Sequence, residues 1–471
     1  MTMNNTPKYE CGTLRYSSLQ VVGVFFWMLA GAFAFTILTC CFTSASPFLF
    51  RNNGLSDTFI AVILGTVLSW MNTIMNPIVS TASDRCRSRL GRRIPFILYT
   101  AFPASLLLAA MPFYKHLLAF LPETVLGISS LALLLGFGAI AFNFFWLFVG
   151  ILYYYLIPDV IPDKFVARYF GMYRVAGAAA GICWGKLLFP YVESHPQIVY
   201  PAAAAIYLVL ILLMCYIVRE GEYPPPEESC DKNSAAWYVR FYHNILVYFK
   251  ECYFHKYYLL FYMTSLAFAL SGCVNIFLNF FYRYGCNMDM QSIGTLGVWM
   301  SLVTIITCFC AGFLVDKLGG FRSSLAALAL MMLFNILGGF FITDYTTALI
   351  WRIPLAIAGG VYSVASGRML VEVYPRSKFG MIASGSNLLC SLFVGLINWP
   401  IGKFSEFLKT ADSSTTVMLG NWDLMPYLRG YRFVNYWCAV CIFISFLLLL
   451  YFYIFMQRKR IAAGDDLPAE K

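Results

Sequence analysis

The chain has 471 residues, of which 60% are hydrophobic, 18% aromatic and only 12% charged. Soluble domains carry about 25% charged residues, so half the charge of a water-soluble protein is missing and the composition is that of a polytopic membrane protein. The net charge of +10 sits mainly in loops between apolar runs, a bias that belongs to the cytoplasmic membrane face and gives a nucleic-acid partner no support.

Crossing the hydrocarbon core takes about twenty apolar residues. Twelve such runs occur, at 21–45, 57–82, 94–113, 126–157, 166–190, 198–218, 256–282, 292–315, 323–343, 348–370, 379–402 and 432–456. The expected fold is an all-α membrane protein whose twelve transmembrane helices form two six-helix bundles. The N-terminal bundle spans 1–219, a cytoplasmic linker spans 220–255, and the C-terminal bundle with a short tail spans 256–471. The first twenty residues are polar and carry no cleavable signal pattern.

Between the second and third runs lies Ser83–Asp84–Arg85–Cys86–Arg87–Ser88–Arg89–Leu90–Gly91–Arg92–Arg93. An arginine at mid-depth in hydrocarbon costs about 2.5–3.5 kcal/mol, so five of them within nine residues demand a tight loop at the cytoplasmic face. An even number of spans puts both termini on that side. The inner loops and tails then hold about 23 of the 33 lysines and arginines.

A weaker copy of the loop follows the eighth run, as Gly312–Phe313–Leu314–Val315–Asp316–Lys317–Leu318–Gly319–Gly320. The offset, 316 − 84 = 232 positions, is close to half the chain, the mark of a duplicated helical bundle. A second repeated element ends runs four and ten: Ile157–Pro158–Asp159–Val160–Ile161–Pro162 before Phe170–Gly171–Met172, and Val371–Glu372–Val373–Tyr374–Pro375 before Phe379–Gly380–Met381.

The linker carries Pro224–Pro225–Pro226, an extended connector. Trp237, Phe241, Ile245, Tyr248 and Phe249 follow at helical spacing, as in an amphipathic helix lying on the membrane surface. Most of the fifteen cysteines fall inside apolar runs, where cysteine acts as a small hydrophobe. No metal site or cofactor is expected. None of the four histidines is at mid-membrane. No nucleophile–base set or phosphate loop occurs, so an enzyme is not expected.

The loop from Ser83 to Arg93 with the following Ile94–Pro95–Phe96–Ile97, preceded by Asn76–Pro77, resembles the loop between helices two and three of sucrose-type transporters. These are similar to the glycoside–pentoside–hexuronide:cation symporters of the major facilitator superfamily. The resemblance implies two six-helix bundles, a sugar site between them at mid-membrane, and alternating access driven by a cation gradient. In the melibiose-type branch acidic residues of helix two bind the coupling cation. The matching positions here are the neutral Asn72 and Asn76, and the position of a sugar-gripping aspartate in helix four is matched by Gly150. Sodium coupling is therefore not implied.

Several residues stand out as candidates. Asp84 with Arg85, Arg89, Gly91, Arg92 and Arg93, and Asp316 with Lys317, are gating candidates: a carboxylate at a helix end accepts N–H groups of the next helix and pairs with arginines. Such a cluster is either a latch that breaks in the alternate state or a topology anchor. Arg174 is the only basic residue well inside a predicted span. A helix beginning near Pro162 places it about 18 Å deep, one beginning near Arg168 only about 9 Å. Substrate contact, structural pairing and snorkelling to the interface are its three readings.

Asn143, Trp146, Gly150 and Tyr154 share one face of the fourth span and suit a pyranose, which needs edge hydrogen bonds and a flat partner, or else they pack. Asn72 with Asn76, Asn275 with Asn279, and Asn387 line polar strips that serve a sugar or hold helices together at about 1 kcal/mol each. Asp159, Asp163 and Glu372 are the candidates for proton coupling, or else helix-end partners of arginines.

The expected protein is a monomeric secondary transporter of a plasma or bacterial inner membrane, moving a small-molecule solute, a sugar or glycoside, with protons. Two rivals are a carrier of the same fold that exchanges an organic ion or drug, and a membrane sensor or scaffold that binds without transport.

Overall fold

Apolar runs set where the helices lie, and polar caps set where they begin. A computed structural model describes residues 9–118, 121–125, 127–221, 248–375, 379–411, 418–419 and 422–457. Among them, twelve long helices follow in chain order. The first six are α1 (Ser18–Asn52), α2 (57–85), α3 (Ile94–Leu117), α4 (Ser130–Val160), α5 (Asp163–Cys183) and α6 (Pro196–Ile217). The second six are α7 (Lys256–Gly285), α8 (Met290–Leu318), α9 (Gly320–Phe341), α10 (Tyr345–Val373), α11 (Phe379–Thr410) and α12 (Phe433–Met456). Three two-stranded hairpins, Tyr9–Cys11 with Leu14–Tyr16, Thr124–Val125 with Ile128–Ser129, and Met418–Leu419 with Trp422–Asp423, are the only strands among the described residues.

Eleven of the twelve helices are long and apolar enough to cross a membrane on length and composition alone. The remaining one is α5, which carries Lys164, Arg168 and Arg174 ahead of its apolar second half. Several helices reach beyond their apolar runs because side chains cap them. Ser17 Oγ accepts from Gln20 N at 3.3 Å while Gln20 Oε1 accepts from Ser17 N at 2.8 Å. Asp344 and Thr347 do the same at the start of α10, which thereby begins at Tyr345 and not at 348. Such boxes satisfy backbone donors that a helix start leaves unpaired.

The chain divides into two compact units, Met1–Glu228 and Ser229–Lys471. In the first unit the packed pairs are α1 with α5 and α6, α3 with α4 and α6, and α2 with α4. In the second they are α7 with α11 and α12, α9 with α10 and α12, and α8 with α10. Adding six to each helix number converts one set into the other, so the duplication read from the loop motif extends to the packing.

Two buried tyrosines tie helices together through their hydroxyls, which gain from a partner in an apolar interior. Tyr153 donates to the Met28 carbonyl and lies 2.6 Å from the Tyr169 hydroxyl, tying α1, α4 and α5 together. In the second unit Tyr262 donates to the Ile382 carbonyl at 2.9 Å, joining α7 to α11. The proline connector and most of the amphipathic helix expected at 237–249 lie outside the described residues. The described stretch from Tyr248 is helical and lies against α11, with Tyr248 sharing a 2.9 Å hydrogen bond with Ser384 and Tyr253 donating to the Gly385 carbonyl at 2.8 Å.

At the far end of α7, a Cβ on Gly285 would overlap the carbonyl oxygen of Gly430, itself a glycine at φ +61°. Gly285→Ala is expected to destabilise the protein by about 1–3 kcal/mol; thermal unfolding in detergent measures this, and an unchanged midpoint would show that the two backbones do not meet.

Candidate functional site

The arginine-rich turn is built on Gly91. Ser88 and Gly91 exchange backbone hydrogen bonds at 3.3 and 3.1 Å, and Ser88 Oγ donates to the Gly91 carbonyl at 2.7 Å. Gly91 adopts φ +106°, and a Cβ there would come within 2.5–2.9 Å of the Glu220 side chain. Both the backbone conformation and the close approach therefore call for glycine.

Reversal of the chain at Gly91 delivers Arg92 and Arg93 to the start of α3, where two carboxylates from distant parts of the unit meet them. Asp159, at the end of α4, accepts from Arg92 Nη2 at 2.8 Å and Arg93 Nε at 2.5 Å. Glu220, just past α6, accepts the backbone N–H groups of Arg92, Arg93 and Ile94 at 2.9, 2.9 and 2.6 Å. One carboxylate neutralises the guanidinium groups, and the other caps the free donors at the helix start. The Arg93 guanidinium also lies 5.1 Å from the centre of the Tyr155 ring.

This cluster is sheltered: the Arg93, Asp159 and Arg92 side chains are 8%, 11% and 19% exposed. Burial holds the Glu220 carboxyl above its usual range; its three N–H donors pull it back down, and the negative Asp159 pushes it up again. Burial prevails over the three donors.

The second unit carries a looser version. Arg368 of α10 donates to Asp316 at the end of α8 at 2.9 Å, to Glu372 one turn along at 3.0 Å, and to the Val315 carbonyl at 3.1 Å. Here Arg368, Asp316 and Glu372 are 39%, 81% and 34% exposed. The two repeats align through their acids, since Asp159 and Glu372 each stand three residues before a proline. Four residues before the acid stands Tyr155 in one unit and Arg368 in the other, so the first unit takes its arginines from the loop and the second from the helix itself.

Of the gating candidates, Gly91, Arg92, Arg93 and Asp316 belong to these clusters, while Arg89 and Lys317 are exposed. The side chains of Asp84, Arg85 and Asp163 lie outside the described residues. Asp159 and Glu372, read as proton-coupling candidates or arginine partners, are both bound to arginine. Glu220 was not foreseen. It follows the sixth span next to Arg219, and nothing local announces a partner 128 positions away. Asp57 was also missed: it is fully buried at the start of α2, with Arg51 Nη1 at 4.0 Å.

The polar strips of the spans separate into buried and open members. Asn143 is 2% exposed and points its amide at Met71 Sδ, 3.3 Å away. Trp146 is half-buried, its indole N–H donating to Thr39 Oγ1 at 3.1 Å and its ring stacked on Phe35 at 5.4 Å. Phe35 also fills the gap beside Gly150, where a Cβ would lie 3.0 Å from its ring.

Tyr154 is 50% exposed and packs edge-on against Tyr173 at 5.6 Å. Asn72, Asn76, Asn275 and Asn387 are exposed and Asn279 half-buried; Asn76 accepts from the Tyr155 hydroxyl at 3.4 Å. Arg174 is exposed as well, and no carboxylate pairs with it among the described residues. With α5 starting at Asp163, Arg174 lies about 16 Å along the helix axis, the deeper of the two expected placements. One buried arginine escaped notice, Arg352 in α10 at 7% exposure, because the predicted span began only four residues before it.

Comparison with known proteins bears on the family and the fold. The family described as MFS/sugar transport protein matches residues 27–374. No curated protein matches the chain. Among solved structures, the nucleoside transporter NupG is 12% identical with a TM-score of 0.64, covering 92% of this chain and 99% of that one. A bacterial homologue of the human lysosomal transporter Spinster, inward-facing and occupied, is 15% identical with a TM-score of 0.63, covering 94% and 98%. The inward-open xylose transporter XylE from E. coli is 13% identical with a TM-score of 0.61, covering 93% and 96%. These structures share the fold.

Removing the carboxylate at Asp159 strands a buried guanidinium, whereas removing that at Asp316 strands an exposed one. Asp159→Asn is expected to cost about 3–5 kcal/mol and Asp316→Asn about 0–1 kcal/mol; unfolding midpoints of the two full-length variants check the contrast, and equal losses would contradict the difference in burial.

Proposed function

This chain belongs to the MFS/sugar transport protein family of the major facilitator superfamily, and from that premise we propose that it carries a sugar or glycoside across a cell membrane by alternating access, coupled to protons. It is a multi-pass membrane protein that moves a small solute and not an enzyme. The observation that carries the sugar reading is a set of exposed polar side chains within the spans of the first unit. Asn72 and Asn76 of α2, Tyr154 of α4 and Arg174 of α5 are all exposed within spans surrounded by apolar residues. An amide or guanidinium left facing lipid is costly; on a water-filled path the same groups offer the donors, acceptors and flat ring that a pyranose requires.

The two acid–arginine clusters are latch candidates, because each ties together helix ends on one face of its own unit through contacts that a change of charge can break. Proton coupling draws support from Glu220. Its carboxyl is held above the ordinary carboxylate range, so it titrates closer to neutral pH than a free glutamate. Protonation removes the charge that holds the start of α3 and loosens the turn carrying Arg92 and Arg93. With both termini on the side of the arginine turn, this end faces the cytoplasm of a plasma or bacterial inner membrane.

Counter-flow into proteoliposomes, with a panel of sugars and glycosides beside a nucleoside and an amphipathic cation, tests the substrate class. Saturable exchange of a sugar, stimulated by an inward proton gradient and abolished by a protonophore, is expected; exchange confined to the nucleoside or the cation would overturn the sugar reading. Arg174→Lys is expected to raise the half-saturating sugar concentration about tenfold or more, because the forked donor is lost. Asp316→Asn, which leaves the exposed polar side chains of the first unit untouched, is expected to slow turnover with sugar affinity unchanged; parallel loss of both would remove the latch role.

A further inference from the structure

Inside the second unit, α7, α9, α10 and α12 line an open-sided cavity of about 320 Å³, which shares only Asn275 with the polar strips read for a sugar. Arg352, two turns into α10, is 7% exposed and Asn435, at the start of α12, is fully buried. Arg352 Nη2 donates to Asn435 Oδ1 at 2.6 Å, and the guanidinium lies 5.4 Å from the Tyr282 ring centre. That leaves two buried donors, Arg352 Nε and Asn435 Nδ2, with no hydrogen-bond partner in the protein.

The remaining wall does not balance the charge. No acidic side chain lines the cavity. Ser271 Oγ, Asn335 Nδ2 and Cys438 Sγ already donate to the carbonyls of Phe268, Met331 and Ser271. At the end of α10 from which Arg352 projects, Asp344 is committed to capping through Thr347, while Arg432 adds positive charge as it binds the Gly339 carbonyl at 2.8 Å. Tyr282 meets Arg352 with its hydroxyl as well as its ring, and neither supplies net negative charge.

We propose that the second unit binds one small monovalent anion in this cavity, held by Arg352 Nε and Asn435 Nδ2. Both open groups are donors, so the ligand is an acceptor. The site carries one guanidinium to which no carboxylate is bonded among the described residues, which favours a monovalent anion; a divalent one would leave a negative charge in an apolar interior. The wall lies mostly among apolar side chains, which fits a halide or a short carboxylate such as formate or acetate. At Gly272–Phe277 α7 tightens into a 3-10 segment, and Asn275 there is exposed and reaches the cavity wall, which gives the anion a polar way in. The two anion-holding groups, Arg352 and Asn435, belong neither to the polar strips of the spans nor to either arginine cluster.

Thermal unfolding of the purified full-length protein, titrated with sodium chloride, bromide or acetate at constant ionic strength against a bulky sulfonate, tests this. The wild type is expected to show a saturable rise in midpoint. A response to the halides alone identifies a halide, and one to acetate as well a short carboxylate. Arg352→Gln is expected to lose the response or need about tenfold more anion. Should that variant not fold, Asn435→Asp decides the matter: its own carboxylate replaces the anion, so it is expected to be more stable than the wild type in anion-free buffer and indifferent to added anion. A wild-type midpoint that does not depend on anion, or an Asn435→Asp protein that is less stable without anion and still responds to it, would overturn the proposal.

Discussion

The turn at Gly91 is held by two carboxylates with different tasks, and the first unit is organised around that division. Asp159 takes the guanidinium groups of Arg92 and Arg93, and Glu220 takes the backbone donors beneath them. Together they fasten the start of α3 to the ends of α4 and α6. Charges in a nearly dry place hold strongly only when their donors and acceptors are matched. In this cluster the matching spans three helices, so none of the three ends can shift alone without breaking it.

The second unit repeats the packing but not the shelter. Its α8–α10 contact is closed by Arg368 with Asp316 and Glu372, all more exposed than their counterparts, and exposed pairs contribute little to stability. A duplicated fold has thus come to hold its two equivalent ends with unequal strength. The weaker contact opens at lower cost, and the stronger one preserves the bundle around it.

Polar side chains inside the spans serve two purposes that their chemistry does not distinguish. Asn143 is buried against Met71 and holds α4 to α2, while Asn72 and Asn76 on the facing helix are open. Phe35 occupies the space left by Gly150, so that stretch of the α4 stripe is packing, and only its Tyr154 end is exposed. Arg352 and Arg174 make a similar pair: one arginine is enclosed with an amide and a ring, the other is exposed on α5.

Twelve apolar runs, the half-length repeat and the position of the arginine turn were legible in the amino-acid order, because each depends on the solvation of about twenty neighbouring residues or on charge that hydrocarbon will not accept. Which acid meets which arginine was not. Glu220 reaches Arg92 only because α6 returns beside α3, and contacts set by packing at that separation leave no local trace. Nor could helix rotation be read. In a bilayer the bundle interior and the lipid are both apolar, so the periodicity that orients a helix in a soluble protein is flat. The tertiary structure alone therefore decided that Asn143 and Arg352 are enclosed while Asn72 and Arg174 are open.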